Sequence, residues 1–187
     1  MTAQLSLFGA APVATDRLFF AVFPDAQTAA RLASLARDLR AELGLTGTPL
    51  AMERFHVTLH HLGEYDGLPR DRVAQARQAG GALSAAPFEV SFDRAGSFGR
   101  PFVLQGEDGL AEIRAFQKAL GLAMAGAGLG RQVETAFTPH LTLLYDPQVA
   151  PTRPVTPIAW TVNELVLVHS LQGKTQHIAL DRWALRG

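Results

Sequence analysis

Two copies of one short pattern, set far apart, constrain this chain most. His56-Val57-Thr58-Leu59 and His140-Leu141-Thr142-Leu143 both read His-x-Thr-Leu, one copy in each half of the sequence. Each lies in a β-like apolar run. In a strand, residues two apart face the same side, so each His and its Thr point the same way. A fold that brings these two strands together places two imidazoles and two hydroxyls in one cleft.

The rest of the sequence supplies enough elements to do this. Residues 1–15 read as a tail, and residues 16–187 as one domain. Arg17–Phe23 is a strand candidate stopped by Pro24. Asp25 can cap a helix whose apolar positions (Ala29, Leu32, Ala33, Ala36, Leu39) recur at helical spacing to about Leu43. The first motif lies in the strand run 55–62, and a helix follows over 70–84. Phe88–Phe92 alternates like a strand, Gly96, Gly99 and Pro101 form a turn, and Phe102–Gln105 returns as a hairpin partner. A long helix over 110–127 ends in a glycine cluster. Residues 136–145 carry the second motif, the proline-rich 147–157 reads as a loop, and 160–170 and 177–185 are closing strands. This order argues for an α+β fold with mainly antiparallel sheets flanked by helices. The doubled motif makes a bilobal, pseudo-symmetric arrangement with a central cleft the economical form.

Composition narrows the function classes. Seventeen Lys and Arg balance seventeen Asp and Glu, which does not suit general duplex binding through excess positive charge. A short anionic substrate can still be held by local charge. The absence of cysteine excludes disulfides, thiolate metal sites and Cys nucleophiles. No apolar run reaches membrane-spanning length. No Lys or Arg precedes the apolar stretch near the start, which argues against a secretory signal. A cytoplasmic monomer that makes no membrane contact is the default reading.

Histidine titrates near neutrality, so one imidazole can act as a base while another acts as an acid. The Thr hydroxyls can donate hydrogen bonds to phosphate oxygens as charge builds on them. Strand alternation puts His56, Thr58 and His60 on one face, and His140 and Thr142 on another. The pair is therefore equipment for metal-free acid–base work on a phosphate ester, with no cofactor. Zinc sites need three or four ligands in fixed geometry, whereas adjacent His60 and His61 point to opposite faces of a strand and no carboxylate lies within either motif. No Gly-x-Ser-x-Gly elbow is present, so a serine triad lacks support.

The two motifs resemble those of the 2H phosphoesterases, and most closely those of the RNA 2′,3′-cyclic phosphodiesterase (2′-5′ RNA ligase) group. The segments RLFFAVFP, HVTLHHLGE, DRAGSFGRP, FTPHLTLLYD and GKTQHIALDRWAL are similar to family segments in the same order. The resemblance implies a bilobal fold in which each lobe gives one motif to a central cleft. It implies hydrolysis of RNA 2′,3′-cyclic phosphate ends to 2′-phosphomonoesters, with reversible 2′-5′ joining in some members. It implies His56 as proton donor to the leaving 3′ oxygen, His140 as the base that activates water, and Thr58 and Thr142 as phosphate contacts. Alternatives are a phosphodiesterase for small cyclic nucleotides or ADP-ribose cyclic phosphate, and a non-catalytic module binding an RNA end or a protein.

Two positions depart from the family pattern. Tyr145 stands where related enzymes often carry an Arg, and His61 stands where they often carry a Phe. Both are assigned to substrate binding, Tyr145 by stacking or by donating a hydrogen bond. Arg54, Arg100, Arg131 and Lys174 are candidates for the missing charge, although each reads most simply as a solvated surface residue. His169, His177, Trp160 and Trp183 read as structural. In the tail, Gln4-Leu5-Ser6-Leu7-Phe8 resembles the pentapeptide by which many bacterial proteins dock on the DNA sliding clamp. The simpler reading is a tail covering an apolar patch of its own domain.

Overall fold

Asp25 separates the first two elements. Its carboxylate accepts the backbone N–H of Thr28 at 2.8 Å, capping the helix that follows. A computed structural model describes residues 14–186. The elements run β1 (Asp16–Val22), α1 (Ala26–Glu42), β2 (Val57–Tyr65), α2 (Arg70–Ala82), β3 (Phe88–Ser97), β4 (Pro101–Gln105), α3 (Ala111–Gly126), β5 (Leu141–Tyr145), β6 (Arg153–Val162), β7 (Glu164–Leu171) and β8 (Gln176–Ala184). The tail pentapeptide 4–8 lies outside the described residues. Thr15, read from sequence as tail, is already tied to the sheet through Tyr65 and Gln172.

The strands form two four-stranded sheets of order β2-β1-β7-β8 and β5-β4-β3-β6, with every pairing antiparallel. The motif strands β2 and β5 are each at an edge, and those two edges touch. The first sheet draws on both ends of the described chain, so the lobes are not the two halves of the sequence.

Helix α1 packs on β5 and β6, α2 on β7 and β8, and α3 on β2 and β3. The large apolar core lies between sheets and helices, with Phe20, Leu32, Phe92, Phe102 and Leu120 fully buried. Phe19, Ala21, Val166 and Val168 form a separate small cluster on the other face of the first sheet. That face, away from the helices, carries His56.

Three sequence expectations need correction. The stretch 147–157 is not all loop, because β6 begins at Arg153 and includes Pro154 and Pro157. It is an edge strand, where a missing N–H costs no ladder bond, and its register against β3 slips at these prolines. The expected single strand over 160–170 is broken at Asn163, where the chain leaves one sheet and enters the other. The hairpin turn also falls later than expected: β3 runs on to Ser97, taking in Gly96.

Candidate active site

His56 and His140 each lie one residue before a strand, in extended chain that is not yet part of the ladder. Each meets the carbonyl two residues upstream through Nδ1, His56 at Arg54 O (2.7 Å) and His140 at Thr138 O (2.8 Å). A carbonyl can only accept, so Nδ1–H donates in both. The tautomer is thereby set, and Nε2 carries the lone pair of each neutral ring. The same local device, built twice, leaves both Nε2 atoms without a hydrogen-bond partner among the described residues.

A second shared device follows each Thr. β2 slips by one residue against β1 between Thr58 and His60, and β5 slips by one against β4 between Thr142 and Leu144. Each motif's Leu is thus the extra residue of a β-bulge. Leu59 and His60 are both buried, as are Leu143 and Leu144. The next residue, His61 in one strand and Tyr145 in the other, is exposed on the side of the Thr. The two positions singled out as departures are therefore structural equivalents in the two lobes.

The bulge overturns one sequence expectation. His60 does not share a face with Thr58; it points into the core against α3. Its Nε2–H donates to Gln117 O (2.9 Å), and its Nδ1 accepts from Glu134 N (3.0 Å). Burial holds its pKa below the usual histidine value. His60 is a satisfied core residue that pins the chain at Glu134, on the rim of the cleft.

A cavity of about 370 Å³ spans the lobes, lined by Thr58 and His61 from β2, and by Phe98, Phe137 and His140 from the other side. Phe98 packs at 5.4 Å from His140 and is largely exposed. His56 sits behind, stacked on Phe19 at 5.2 Å, with the His177 ring edge-on at 5.1 Å. Burial chiefly pushes the His56 pKa down, to about 4, and the nearby His177, Arg54 and His140 add to this. His177 is likewise pushed to about 4 by burial, then by Arg54 and Arg17. His177, taken from sequence as structural, is therefore a neighbour of the site that no motif marked. Its only sequence signal was a histidine in a strand opposite apolar residues.

The remaining residues fall as their types suggest. His169 forms a buried pair with Asp16, and Trp160 stacks on Phe92 in the core. Arg100, Arg131 and Lys174 are exposed. Asp146, just past Tyr145, is buried and accepts the backbone N–H groups of Thr46, Gly47 and Gln148, which hold its pKa low. This clamps segment 46–50 along the outer edge of β5, where Leu50 N donates to Leu143 O. Among the described residues, no three or more His, Cys, Asp or Glu converge as a metal site would require.

Comparison with known proteins identifies the family and the fold. The sequence pattern described as the 2′-5′ RNA ligase superfamily matches residues 23–174. A protein of Escherichia coli (strain K12) named RNA 2′,3′-cyclic phosphodiesterase is 30% identical over 148 residues, covering 74% of this chain and 80% of that protein. The crystal structure of E. coli LigT complexed with 3′-AMP superposes with a TM-score of 0.66 at 27% identity, covering 94% of this chain and 100% of that one. A crystal structure from Thermus thermophilus shares the fold, with a TM-score of 0.67 at 24% identity over 91% of this chain and 98% of that one. With its two motifs on touching sheet edges and this likeness along most of its length, the chain belongs to the 2′-5′ RNA ligase superfamily of 2H phosphoesterases.

Proposed function

We propose that the protein hydrolyses the 2′,3′-cyclic phosphate at RNA ends to a 2′-phosphomonoester, using His56 and His140 as an acid–base pair and no metal. The observation that carries this reading is the twin Nδ1–H to carbonyl bond, which fixes both rings and presents two unencumbered Nε2 atoms. The related E. coli protein's name supports the substrate class.

In the forward reaction His140 Nε2 takes a proton from water as the water oxygen bonds to phosphorus. The bond from phosphorus to the 3′ oxygen breaks, and protonated His56 Nε2 gives its proton to that oxygen. The products are a 3′ hydroxyl and a 2′ phosphate, and the two His have exchanged charge states. Thr58 and Thr142 donate to the non-bridging oxygens, while His61 and Tyr145 contact the nucleoside. Running the steps backwards with a 5′ hydroxyl in place of water gives 2′-5′ joining.

His56 is neutral in the free protein at neutral pH, and a bound phosphate anion favours its protonated form. Substrate binding and protonation of the acid are then coupled. The decisive experiment is hydrolysis of an oligoribonucleotide ending in a 2′,3′-cyclic phosphate, in excess chelator, with product identification. Release of the 2′-phosphate by wild type, and its loss in His140→Ala, is the expected result. Activity that vanishes with chelator and returns with zinc or manganese would overturn the metal-free reading. The same assay with mononucleotide cyclic phosphates separates an RNA substrate from a small one.

A further inference from the structure

Tyr145 leaves the β5 lobe without the cation that the family pattern often supplies, yet the substrate class is anionic. The other lobe has an arginine in reach of the site. Arg54 ends the 3₁₀ turn Met52–Arg54, directly before β2, and its carbonyl is the group that orients His56. Its side chain is half-buried. Its Nε–H is sealed from solvent and has no acceptor, and its guanidinium forms no ion pair among the described residues. A buried donor on a permanent charge is costly to leave unpaired, so it needs a partner or a function. The His177 ring, edge-on to His56, also has a buried Nδ1 without a partner. Two sealed, unmatched nitrogens thus belong to the two residues next to His56, while the terminal guanidinium nitrogens of Arg54 are not sealed.

We propose that Arg54, with His177 beside it, forms an anion-binding corner that supplies the positive charge for the substrate phosphate from the first-motif lobe, in place of the arginine that Tyr145 replaces. The inference rests on the cyclic phosphodiesterase reading for its substrate. Arg54 is then a substrate-binding residue that meets the phosphate through its terminal guanidinium nitrogens, which are not sealed as Nε is. His177 is a positioning residue for His56, its ring set edge-on against the His56 ring. The corner also explains how the acid is primed. Arg54 lies close enough to oppose positive charge on both His56 and His177. A phosphate seated on the guanidinium cancels that opposition, so the anion that docks also allows His56 to take up its proton.

The test uses two probes on the full chain, with inorganic phosphate followed by calorimetry and a 2′,3′-cyclic mononucleotide followed by turnover. Arg54→Ala is expected to weaken phosphate binding at least about tenfold and to lower kcat/KM by about 10²-fold, the scale for losing one charge-stabilising donor. The main-chain carbonyl that holds His56 is retained in this variant, and rescue by an added guanidinium tells a lost charge from a lost structural contact. Adding Tyr145→Arg to Arg54→Ala is expected to recover about tenfold in kcat/KM, because a guanidinium on the other lobe can serve the same charge. Millimolar ethylguanidinium is expected to rescue Arg54→Ala and not wild type. His177→Phe keeps an aromatic ring beside His56 and should shift the pH profile of turnover, the readout of a positioning residue. If Arg54→Ala is poorly folded, Arg54→Lys, which keeps charge without the fork, decides: phosphate affinity equal to wild type overturns the assignment of the phosphate to the guanidinium fork. Phosphate affinity and turnover within twofold of wild type in Arg54→Ala overturn the proposal. If wild type is inert on every cyclic phosphate while Arg54→Ala still loses phosphate, the corner stands and the hydrolase reading fails.

Discussion

At the scale of single residues, the two motif histidines differ in surroundings more than in pattern. His56 is packed between Phe19 and His177, while His140 opens onto the cavity beside Phe98. Replacing either by Ala should lower kcat by about 10²–10⁴-fold with little change in Tm, and the double variant should lose little more, since the two act as a unit. The alkaline limb of kcat/KM should follow deprotonation of the acid His56, whose pKa is held down to about 4 in the free protein, and His177→Phe should move that limb to higher pH. A steady-state pH series on wild type and His177→Phe checks both. His60 and His61 should separate cleanly: His60→Ala leaves buried partners unpaired and costs about 2 kcal/mol or more, whereas His61→Ala leaves stability alone and alters KM. Denaturant melts and substrate titrations distinguish these outcomes. The motif residues were legible because His and Thr types carry their chemistry openly. His177 was not, because its relation to His56 exists only once β8 joins the sheet by way of β7 and β1.

At the scale of elements, the motif strand is a strand with a fault in it. A period of two predicts that His60 lies with Thr58, and one inserted residue at Leu59 reverses that prediction while leaving the sequence looking regular. Nothing in an apolar Leu announces a bulge. The paired fault in β5 is equally silent, so the equivalence of His61 and Tyr145 could be reached only from register. Prolines misled in the opposite direction, since a central strand forbids them and the edge strand β6 does not. Segment 46–50 is the support for β5, and Gly47 is its tightest point. A Cβ there would lie 2.0 Å from the Tyr145 carbonyl oxygen. Gly47→Ala should therefore displace the segment from Asp146, cost about 2–4 kcal/mol, and reduce activity through Thr142 and Tyr145. Equilibrium unfolding together with kcat/KM would show both losses; wild-type stability in this variant would refute the bracing role.

At the scale of the whole molecule, acid should weaken the fold through the same rings that make the site. His56 and His177 titrate at about 4 in the folded protein, against 6.5 in the unfolded chain. Between these values the unfolded state binds more protons, so stability falls as pH drops from about 6.5 to about 4 and this contribution is flat on either side. Thermal melts across that window should show the decline, with a shallower slope in His177→Phe. The α+β class and the two-lobed plan followed from element order and the doubled motif. Lobe membership did not, because pairing of β1 with β7 is a long-range choice that no local propensity encodes.

That same pairing sets a timetable. β1 and β2 are made first, but their sheet lacks β7 and β8 until residues 164–184 have left the ribosome, and His56 lacks the ring that braces it until then. Both motifs can be translated and exposed while the site is still unbuilt. A nascent chain of this design therefore lacks its complete site until its final hairpin is made.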